Sequence, residues 1–405
     1  MNTFRIAWRN LWRNTRRTTI TLIAMALSTA VLIITYALML GMIQDMERSV
    51  TDVTVGQVQV HHPDYLSERS IYDTVSDHEA ILTRARHEGI SAAPRAFGYG
   101  LLSSGTKSAG VQFWGVSPSN EREVGSMPEA IFKGSYLPDA AGMQVVLGRK
   151  LARTLGAEIG TELVAVVQAA DGSLGNDLFT VAGVFKSIGE GLDRSLAVIK
   201  SQDFADLFVL SDQYHEISLN SHGALSPEEV ATTIEDAAGD NEVETWHQIM
   251  PAVSDMLKTF DGTSKLFLGI FFLAAALGVL NTMLMATYER IPEFGLLKAI
   301  GSSPWRILRD VLAETFVLGV IGSLIGGLLG TGVSLYFQVH PIDLSGFAEG
   351  FSTAGIAMSP LWYAELTVDG VVWPVVILWI VSVLSALYPA LKAARLDPVG
   401  ALTHV

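Results

Sequence analysis

Four long apolar stretches limit what this chain of 405 residues can fold into. A bilayer core of about 30 Å is crossed by a helix of about 20 apolar residues. Residues 18–42, 264–287, 311–337 and 371–391 each reach that length. The first stretch exceeds the apolar core of a signal peptide, about 7–15 residues, and no clear small-x-small cleavage site follows it, so we interpret it as a retained span. The sequence therefore predicts a membrane protein with four transmembrane α-helices.

One long segment between the first and second stretches is expected to fold outside the membrane. Residues 43–263 mix period-two apolar patterns, which predict strands, with short helical patterns, so we expect a large α+β domain. Ser226 followed by Glu229 is the signature of a capping box that starts a helix at Pro227. The loop 338–370 lies on the same side. Strands are predicted at residues 57–60, 110–116, 163–167 and 179–185, and helices at residues 149–155, 202–210 and 227–238.

The distribution of charge predicts the orientation of the spans. The net charge of −14 argues against nucleic-acid binding. Residues 1–17 contain five arginines and no acidic residue, and the segments 288–310 and 392–405 are also basic. Because positively charged flanks stay in the cytoplasm, both termini and the 288–310 segment are predicted to be cytoplasmic. A mean hydropathy of +0.36 fits such a mixture of lipid-embedded helices and one water-soluble domain.

An amphipathic helix is predicted ahead of the first span. Apolar side chains recur on one face and arginines on the other, namely Phe4, Trp8, Leu11 and Trp12 against Arg5, Arg9, Arg13 and Arg16. An Arg-rich helix with Trp on its apolar side lies in the plane of the lipid headgroups. We therefore interpret residues 1–17 as a cytoplasmic interfacial helix anchored by Arg5, Trp8, Arg9 and Trp12. A basic flank that orients the first span is a compatible interpretation.

The connection between the second and third spans, residues 288–310, indicates a protein partner. Apolar residues that we expect to be exposed, such as Phe294, alternate there with charged residues. Apolar anchors in a charged frame are typical of a docking surface. Gly301 and Pro304 are expected to end a short helix before the third span begins. The residues assigned to docking are Glu289, Arg290, Glu293, Phe294, Gly295 and Leu297.

No catalytic or metal-binding pattern stands out in the sequence. The segment 100–108 approaches the Walker A pattern of nucleotide-binding loops, but Thr106 displaces the lysine by one place, and the segment lies on the outer side. His61 and His62 with Asp64 suggest a metal site. Adjacent strand residues point to opposite faces, however, so both histidines cannot readily bind one ion. We therefore expect a non-catalytic chain with no metal and no cofactor of its own.

Three segments resemble the FtsX-like permease superfamily of ABC transporters, which includes the MacB-type efflux permeases and the lipoprotein-releasing (LolC/LolE-like) permeases. The patterns are A-W-R-N-L-W-R-N at residues 7–14, E-R-x-x-E-F-G-L-L-K-A-I-G at residues 289–301 and Y-P-A-x-x-A-A-R-L-D-P at residues 388–398. The order of one span plus three around a large outer domain also agrees with that family. The outer domain looks most like that of the lipoprotein-releasing branch.

The resemblance implies a permease subunit of the bacterial inner membrane that works by mechanotransmission. A separate dimer of ABC ATPase subunits would hold ATP and Mg, and residues 289–302 would receive its movement. A second permease, identical or different, would complete the complex. The lipoprotein-releasing branch implies extraction of a lipoprotein or another amphipathic substrate on the outer side. The alternatives are a MacB-like efflux permease with a periplasmic adaptor, and an FtsX-like regulator of a cell-wall hydrolase.

Glycines recur every four residues in the third span, at Gly322, Gly326 and Gly330. Small residues at this spacing form a flat strip that another helix approaches closely. Two partners fit the strip, a helix of the same chain or a second permease. Four spans are few for a complete transporter, which slightly favours the second permease.

Overall fold

The computed structural model describes residues 7–9, 11–138, 142–344, 352–353, 356–357 and 361–395. The chain divides into two compact units. The membrane unit comprises Met1–Ile43, Lys258–Leu344 and Leu361–Val405, and the inserted domain comprises Gln44–Leu257 and Ser345–Pro360.

The helices and strands of the described residues are as follows in chain order. The first are α1 (Thr15–Val50), β1 (Val58–His61), α2 (Tyr65–Glu68), α3 (His78–His87), β2 (Ser91–Ser104), β3 (Lys107–Val116), α4 (Pro118–Val124), β4 (Ile131–Gly134) and β5 (Gln144–Leu147). Next come α5 (Arg149–Leu155), β6 (Glu162–Gln168), β7 (Leu174–Phe185), α6 (Glu190–Ser195), β8 (Leu196–Lys200), α7 (Ser201–Phe208), β9 (Glu216–Asn220), α8 (Pro227–Ala238), β10 (Glu242–Thr245) and α9 (Trp246–Ile249). The last are α10 (Pro251–Glu289), α11 (Ile291–Ala299), α12 (Pro304–Val339), β11 (Ile342–Asp343), β12 (Ser352–Thr353), β13 (Ile356–Ala357), β14 (Leu361–Trp362) and α13 (Val368–Ala394).

Four helices of the described residues are long and apolar enough to cross a membrane, namely α1, α10, α12 and α13. This confirms the predicted architecture of one span before the inserted domain and three after it. Each helix runs beyond the apolar stretch that predicted it, because a helix continues into polar sequence until a cap or a proline stops it. The start of α12 is clearly defined, because Ser303 is its N-cap residue and Pro304 is its first helical residue.

The inserted domain contains one sheet of ten strands in the part of the chain that is described. Its order is β10-β1-β9-β2-β3-β8-β5-β7-β4, and β6 pairs with both β2 and β7. In chain order β1, α3, β2, β9, α8 and β10 follow the β-α-β-β-α-β pattern of ferredoxin-like folds. The core of this first lobe includes Val58, Val60, Ile81, Ile217, Leu219, Val230 and Ile234.

A second lobe is inserted between β2 and β9. Strands β2, β3, β8, β5, β7 and β6 pair in a closed ring, in which β3 and β8 are parallel and β2 and β3 antiparallel. A closed ring has no edge strand, so each of its strands has a neighbouring strand on both sides. Phe113, Phe179 and Phe208 are fully buried in the core of this lobe.

Several local predictions for the inserted domain agree with the structure. Helices α5 and α8 have the predicted bounds. The capping box is present, since the Ser226 hydroxyl accepts from the Glu229 backbone N–H and Glu229 Oε2 accepts from the Ser226 N–H at 2.8 Å. Helix α7 ends two residues earlier than predicted, because Val209 adopts a left-handed conformation with φ 53°.

Candidate functional site

The connection between α10 and α12 is a short helix with defined ends. Arg290 is the N-cap residue of α11, and Pro292 lies in its first turn, where no hydrogen bond from its nitrogen is needed. After Ala299, Gly301 adopts a left-handed conformation with φ 93°, which a residue with a side chain adopts only with strain. Gly301 and Pro304 therefore separate α11 from α12, as the sequence predicts.

One face of α11 is buried within the membrane unit. Phe294 is 4% exposed and belongs to a cluster with Ile307 and Leu308 of α12 and Ala390 of α13. Gly295 is buried beside it. The prediction that Phe294 is exposed for docking is wrong, because the largest apolar side chain of α11 is needed where this helix packs against two spans.

The opposite face of α11 carries exposed apolar side chains. Leu296 is 57%, Leu297 40% and Ile300 73% exposed. We call these three residues the docking patch. Glu289, the last residue of α10, is also exposed beside this helix. Large apolar side chains together on a short charged connection form the kind of surface that another protein covers.

A network of charged side chains ties α11 to the elements around it. Arg290 Nη1 donates to Glu314 Oε2 at 2.6 Å, and Arg290 Nε donates to Glu293 Oε2 at 3.2 Å. Arg13, before α1, forms an ion pair with Glu293. The Arg290 guanidinium also lies 5.2 Å from the centre of the Phe294 ring. We call Arg13, Arg290, Glu293 and Glu314 the coupling network, since it connects the N-terminal segment, α11 and α12.

The network keeps Glu293 ionised. Partial burial acts to raise the pKa of Glu293, but hydrogen bonds donated by Arg13 and Arg290 outweigh it and hold the pKa below its ordinary value. An ionised Glu293 therefore bridges two arginines across the physiological pH range.

The N-terminal segment presents two tryptophans. The rings of Trp8 and Trp12 meet edge to face with their centres 6.0 Å apart, and each side chain is half exposed. Leu11 is buried between spans in a cluster with Met25 and Leu318. Arg9 is exposed, and Arg5 lies outside the described residues. Of the predicted apolar face, Leu11 thus packs inside the chain and the tryptophans remain at the surface.

The glycine strip of α12 packs against α1 of the same chain. A Cβ atom on Gly322 would lie 2.8 Å from Met25 Cβ, one on Gly326 would lie 2.6 Å from Thr29 Cβ, and Gly330 meets Ala30 and Ile33 in the same way. The three glycines allow the two helices to approach closely. Of the two predicted partners, the structure shows a helix of the same chain, and the preference for a second permease is corrected.

We expect Gly326→Leu to destabilise the membrane unit by about 1–3 kcal/mol, because the added side chain overfills the contact between α1 and α12. The midpoint of thermal unfolding of the full chain in detergent measures this loss. Gly332→Leu is the matched control, since nothing lies within 4 Å of a Cβ added at that position on the same helix. Equal midpoints for the two variants would contradict the close packing.

The inserted domain contains a cavity of about 480 Å³. Its apolar lining includes Phe97, Trp114 and Leu192, and its polar lining includes Arg69 and Glu216. Pockets that bind small molecules commonly have a few hundred Å³ and a mostly apolar lining with a few polar groups. The segment 100–108, compared above with a Walker A loop, is instead part of the β2–β3 hairpin, with its turn at Gly105.

Two residues of the coupling network were not among the predicted site residues. The sequence predicts Arg13 only on the polar face of the N-terminal helix, and it predicts Glu314, near the start of the third span, at the membrane interface rather than in a site. Glu314 carried a usable signal, because a carboxylate within a long apolar stretch requires a partner. No sequence pattern identifies which arginine supplies it.

Comparisons with known proteins agree with this arrangement of domains. Residues 18–237, more than half of the chain, match the MacB-like periplasmic core domain. Residues 265–398 match the FtsX-like permease C-terminal family. The match boundaries fall on the inserted domain with its first span and on the last three spans.

Among its relatives, the chain is 24% identical to the lipoprotein-releasing system transmembrane protein LolC of Neisseria meningitidis, over 80% of both chains. It is 26% identical to the pyoverdine export ATP-binding/permease protein PvdT of Pseudomonas fluorescens, over 98% of this chain and 58% of that protein. The crystal structure of the periplasmic region of MacB from Actinobacillus actinomycetemcomitans covers 49% of this chain and 91% of its own, with 13% identity and a TM-score of 0.37. The chain belongs to the family of ABC transporter permeases that combine a MacB-like periplasmic core domain with an FtsX-like C-terminal permease domain.

Proposed function

We propose that this permease couples ATP hydrolysis by a separate ATPase subunit to the release of a lipoprotein, or another amphipathic substrate, from the outer side of the inner membrane. The observation that carries the proposal is the docking patch on α11, whose Leu296, Leu297 and Ile300 are exposed while Phe294 anchors the same helix to two spans. A helix that is rigidly attached on one face and apolar on the other transmits a push from a docked partner. ATP and Mg would be bound by that partner.

The coupling network supports transmission beyond α11. Arg290 bonds directly to Glu314 of α12, so a displacement of α11 would be passed to the third span. Arg13 extends the connection to the segment before α1. The movement would then reach the inserted domain through α1 and α10, the helices that flank it in the chain. This is the mechanotransmission that we propose, without a substrate pathway across the bilayer.

The proposed orientation places both termini and α11 in the cytoplasm. It is supported by the basic character of residues 1–17 and of the connection between α10 and α12. Trp8 and Trp12, half exposed beside Arg9, would lie at the lipid headgroups on that side. In a complete transporter a second permease, identical or different, would join this chain.

The choice of cargo rests on the relatives and on the inserted domain. The Neisseria relative is named for lipoprotein release, and a cavity lined by both apolar and polar side chains suits an amphipathic molecule. The Pseudomonas relative, named for pyoverdine export, makes efflux the second candidate. Release of a lipoprotein is expected to depend on its acyl chains, which provides a direct test between the two candidates.

The docking assignment predicts that Leu297→Asp weakens coupling to the ATPase. A charge placed at the centre of an apolar contact is expected to weaken binding about tenfold or more. Co-purification of candidate ATPases with the full chain, and ATP turnover of the complex, measure this effect. Leu174→Asp, at an exposed leucine of β7 in the inserted domain, is the matched control. An intact complex with unchanged turnover in Leu297→Asp would refute the docking patch.

The cargo is tested in proteoliposomes that contain the chain and its ATPase. ATP-dependent transfer of an acylated lipoprotein to a soluble acceptor, with no transfer of its non-acylated form, would support lipoprotein release. Stimulation of ATP turnover by pyoverdine, without lipoprotein transfer, would favour efflux instead. Because ATPase docking is measured separately, failure of the cargo assignment leaves the coupling assignment standing.

A further inference from the structure

A groove of about 250 Å³ runs along α12 on the membrane unit. Val383 of α13 lines one side of the groove. The residues of α12 that line it recur every three or four positions and are Trp305, Leu308, Arg309, Leu312, Ala313 and Phe316. At 1.5 Å per residue the α12 face extends about 16 Å along the helix axis. Except for Arg309, the lining side chains are apolar or aromatic, which matches one hydrocarbon chain.

The end of the groove at the first turn of α12 is basic. Arg306 and Arg309 are both exposed, and neither forms an ion pair with a residue that the structure describes. Arg13 and Arg290, in contrast, are paired with Glu293 and Glu314. Arg309, which lines the groove, and Arg306, three residues before it on α12, therefore retain a charge that is not balanced within the described chain.

Trp305 marks the same end of the groove as the membrane surface. It is 71% exposed in the first turn of α12, just before the apolar part of the span. Tryptophan is enriched where a membrane protein crosses the interface between lipid and water. The groove thus begins at the depth of the headgroups and continues into the depth of the acyl chains.

We propose that this groove binds one anionic phospholipid. Arg306 and Arg309 hold the headgroup phosphate, and one acyl chain lies along Leu312, Ala313 and Phe316. Basic pockets between transmembrane helices are known to bind acidic lipid headgroups. A phospholipid supplies both the negative charge and the apolar chain, whereas a packed helix would bury Arg309 without a counter-charge unless it brought its own carboxylate.

The site lies next to the coupling segment. Leu308 lines the groove and also belongs to the cluster that holds Phe294 of α11. A bound lipid therefore braces the same turn of α12 that anchors α11. This inference concerns the membrane unit alone and does not depend on which cargo the permease handles.

Lipid binding to the purified full chain tests the proposal. Native mass spectrometry after titration with phosphatidylglycerol, or with phosphatidylcholine of the same acyl chains, is expected to show one retained phosphatidylglycerol. Arg306→Gln/Arg309→Gln is expected to weaken this binding about 30-fold, because each basic side chain at a membrane surface contributes a factor of about five. Arg86→Gln/Arg153→Gln removes the same charge from exposed residues of the inserted domain that do not line the groove, and should leave binding unchanged.

Fluorescence quenching locates the lipid. Phosphatidylglycerol brominated on its acyl chains should quench the fluorescence of Trp305. That fluorescence is obtained by subtracting the emission of Trp305→Phe from the emission of the parent chain. The quenching should be lost in the Arg306→Gln/Arg309→Gln chain, whose thermal unfolding in lipid-free detergent should match that of the parent because both positions are exposed.

Any of three results would overturn the proposal. Equal retention of the two lipids, or unchanged retention in the Arg306→Gln/Arg309→Gln chain, would show only non-specific annular lipid. A lipid-free dimer with Trp305 protected from brominated lipid would assign the groove to a second copy of the chain.

Discussion

Arg95→Ala is expected to destabilise the inserted domain by about 3–5 kcal/mol, because it leaves two buried carboxylates without their cation. Arg95 on β2 is 1% exposed. Its Nε and Nη2 donate to the two oxygens of Glu121 at 2.7 and 2.9 Å, and its Nη1 donates to Glu216 at 3.2 Å. The carbonyl oxygen of Thr54 also accepts from Nη1. Arg95 thus joins α4, β9 and the segment after α1 to β2.

The loss should also depend on pH. Burial raises the pKa of Glu216, and the positive charge of Arg95 opposes that rise. Without Arg95, the pKa of Glu216 should rise further, so the folded state binds a proton that the unfolded state releases. The free energy of unfolding of the variant should therefore fall as the pH rises from about 5 to 8.

Hydrogen exchange in the full chain measures this effect locally. The protection factors of amides in β2 and β9 should be lower in Arg95→Ala than in the parent chain. This difference should be larger at the higher pH. Arg86→Ala, at an exposed arginine of α3, should leave their protection nearly unchanged. Protection of β2 and β9 that is equal in both variants would contradict a stabilising role for the buried cluster.

In the membrane unit, Arg290→Gln is expected to cost about 3–5 kcal/mol, because Glu314 is 5% exposed and loses its charged partner. The 2.6 Å hydrogen bond between these residues links α11 to α12. The midpoint of thermal unfolding in detergent and the ATP turnover of the complex should therefore both fall. The loss of turnover is expected because α11 would no longer be held to the third span.

A second substitution separates the charge from the packing. Arg290→Gln/Glu314→Gln leaves no buried charge and should recover most of the lost stability while remaining poorly coupled to the ATPase. Glu293→Gln should cost much less, since the Glu293 side chain is 40% exposed and its ion pairs are screened by water. If the single and double variants at 290 and 314 were equally unstable, the buried charge would not be the cause.

The two charged clusters serve different parts of the proposed cycle. The Arg95 cluster holds together strands and helices of the inserted domain, which is expected to handle the cargo. The coupling network holds α11 to its neighbours, which is where the ATPase is expected to act. Loss of the first should impair substrate handling with docking intact, whereas loss of the second should impair coupling with the inserted domain intact.

The features that the sequence predicts well are local ones. The four spans follow from composition over about 20 residues, since lipid requires nearly continuous apolar sequence in a helix. Helix α8 follows from Ser226, Pro227 and Glu229, which satisfy the free backbone groups of its first turn. The end of α11 follows from Gly301. In each case the residues that determine the structure lie within a few turns of one another.

Contacts between distant residues were decided only by the tertiary structure. The sequence marks Phe294 as apolar, but its burial depends on where α12 and α13 pass. The sequence indicates that Gly326 lies at a contact between helices, but the residue it meets is Thr29, almost 300 residues earlier. The sequence contains Arg290 and Glu314, but each of them had several other oppositely charged residues as potential ion-pair partners. The sequence by itself determines which segments enter the membrane, because the hydrophobic effect acts on each stretch alone; which side chains then meet is decided by packing, because close contact and charge pairing require both partners to be in place.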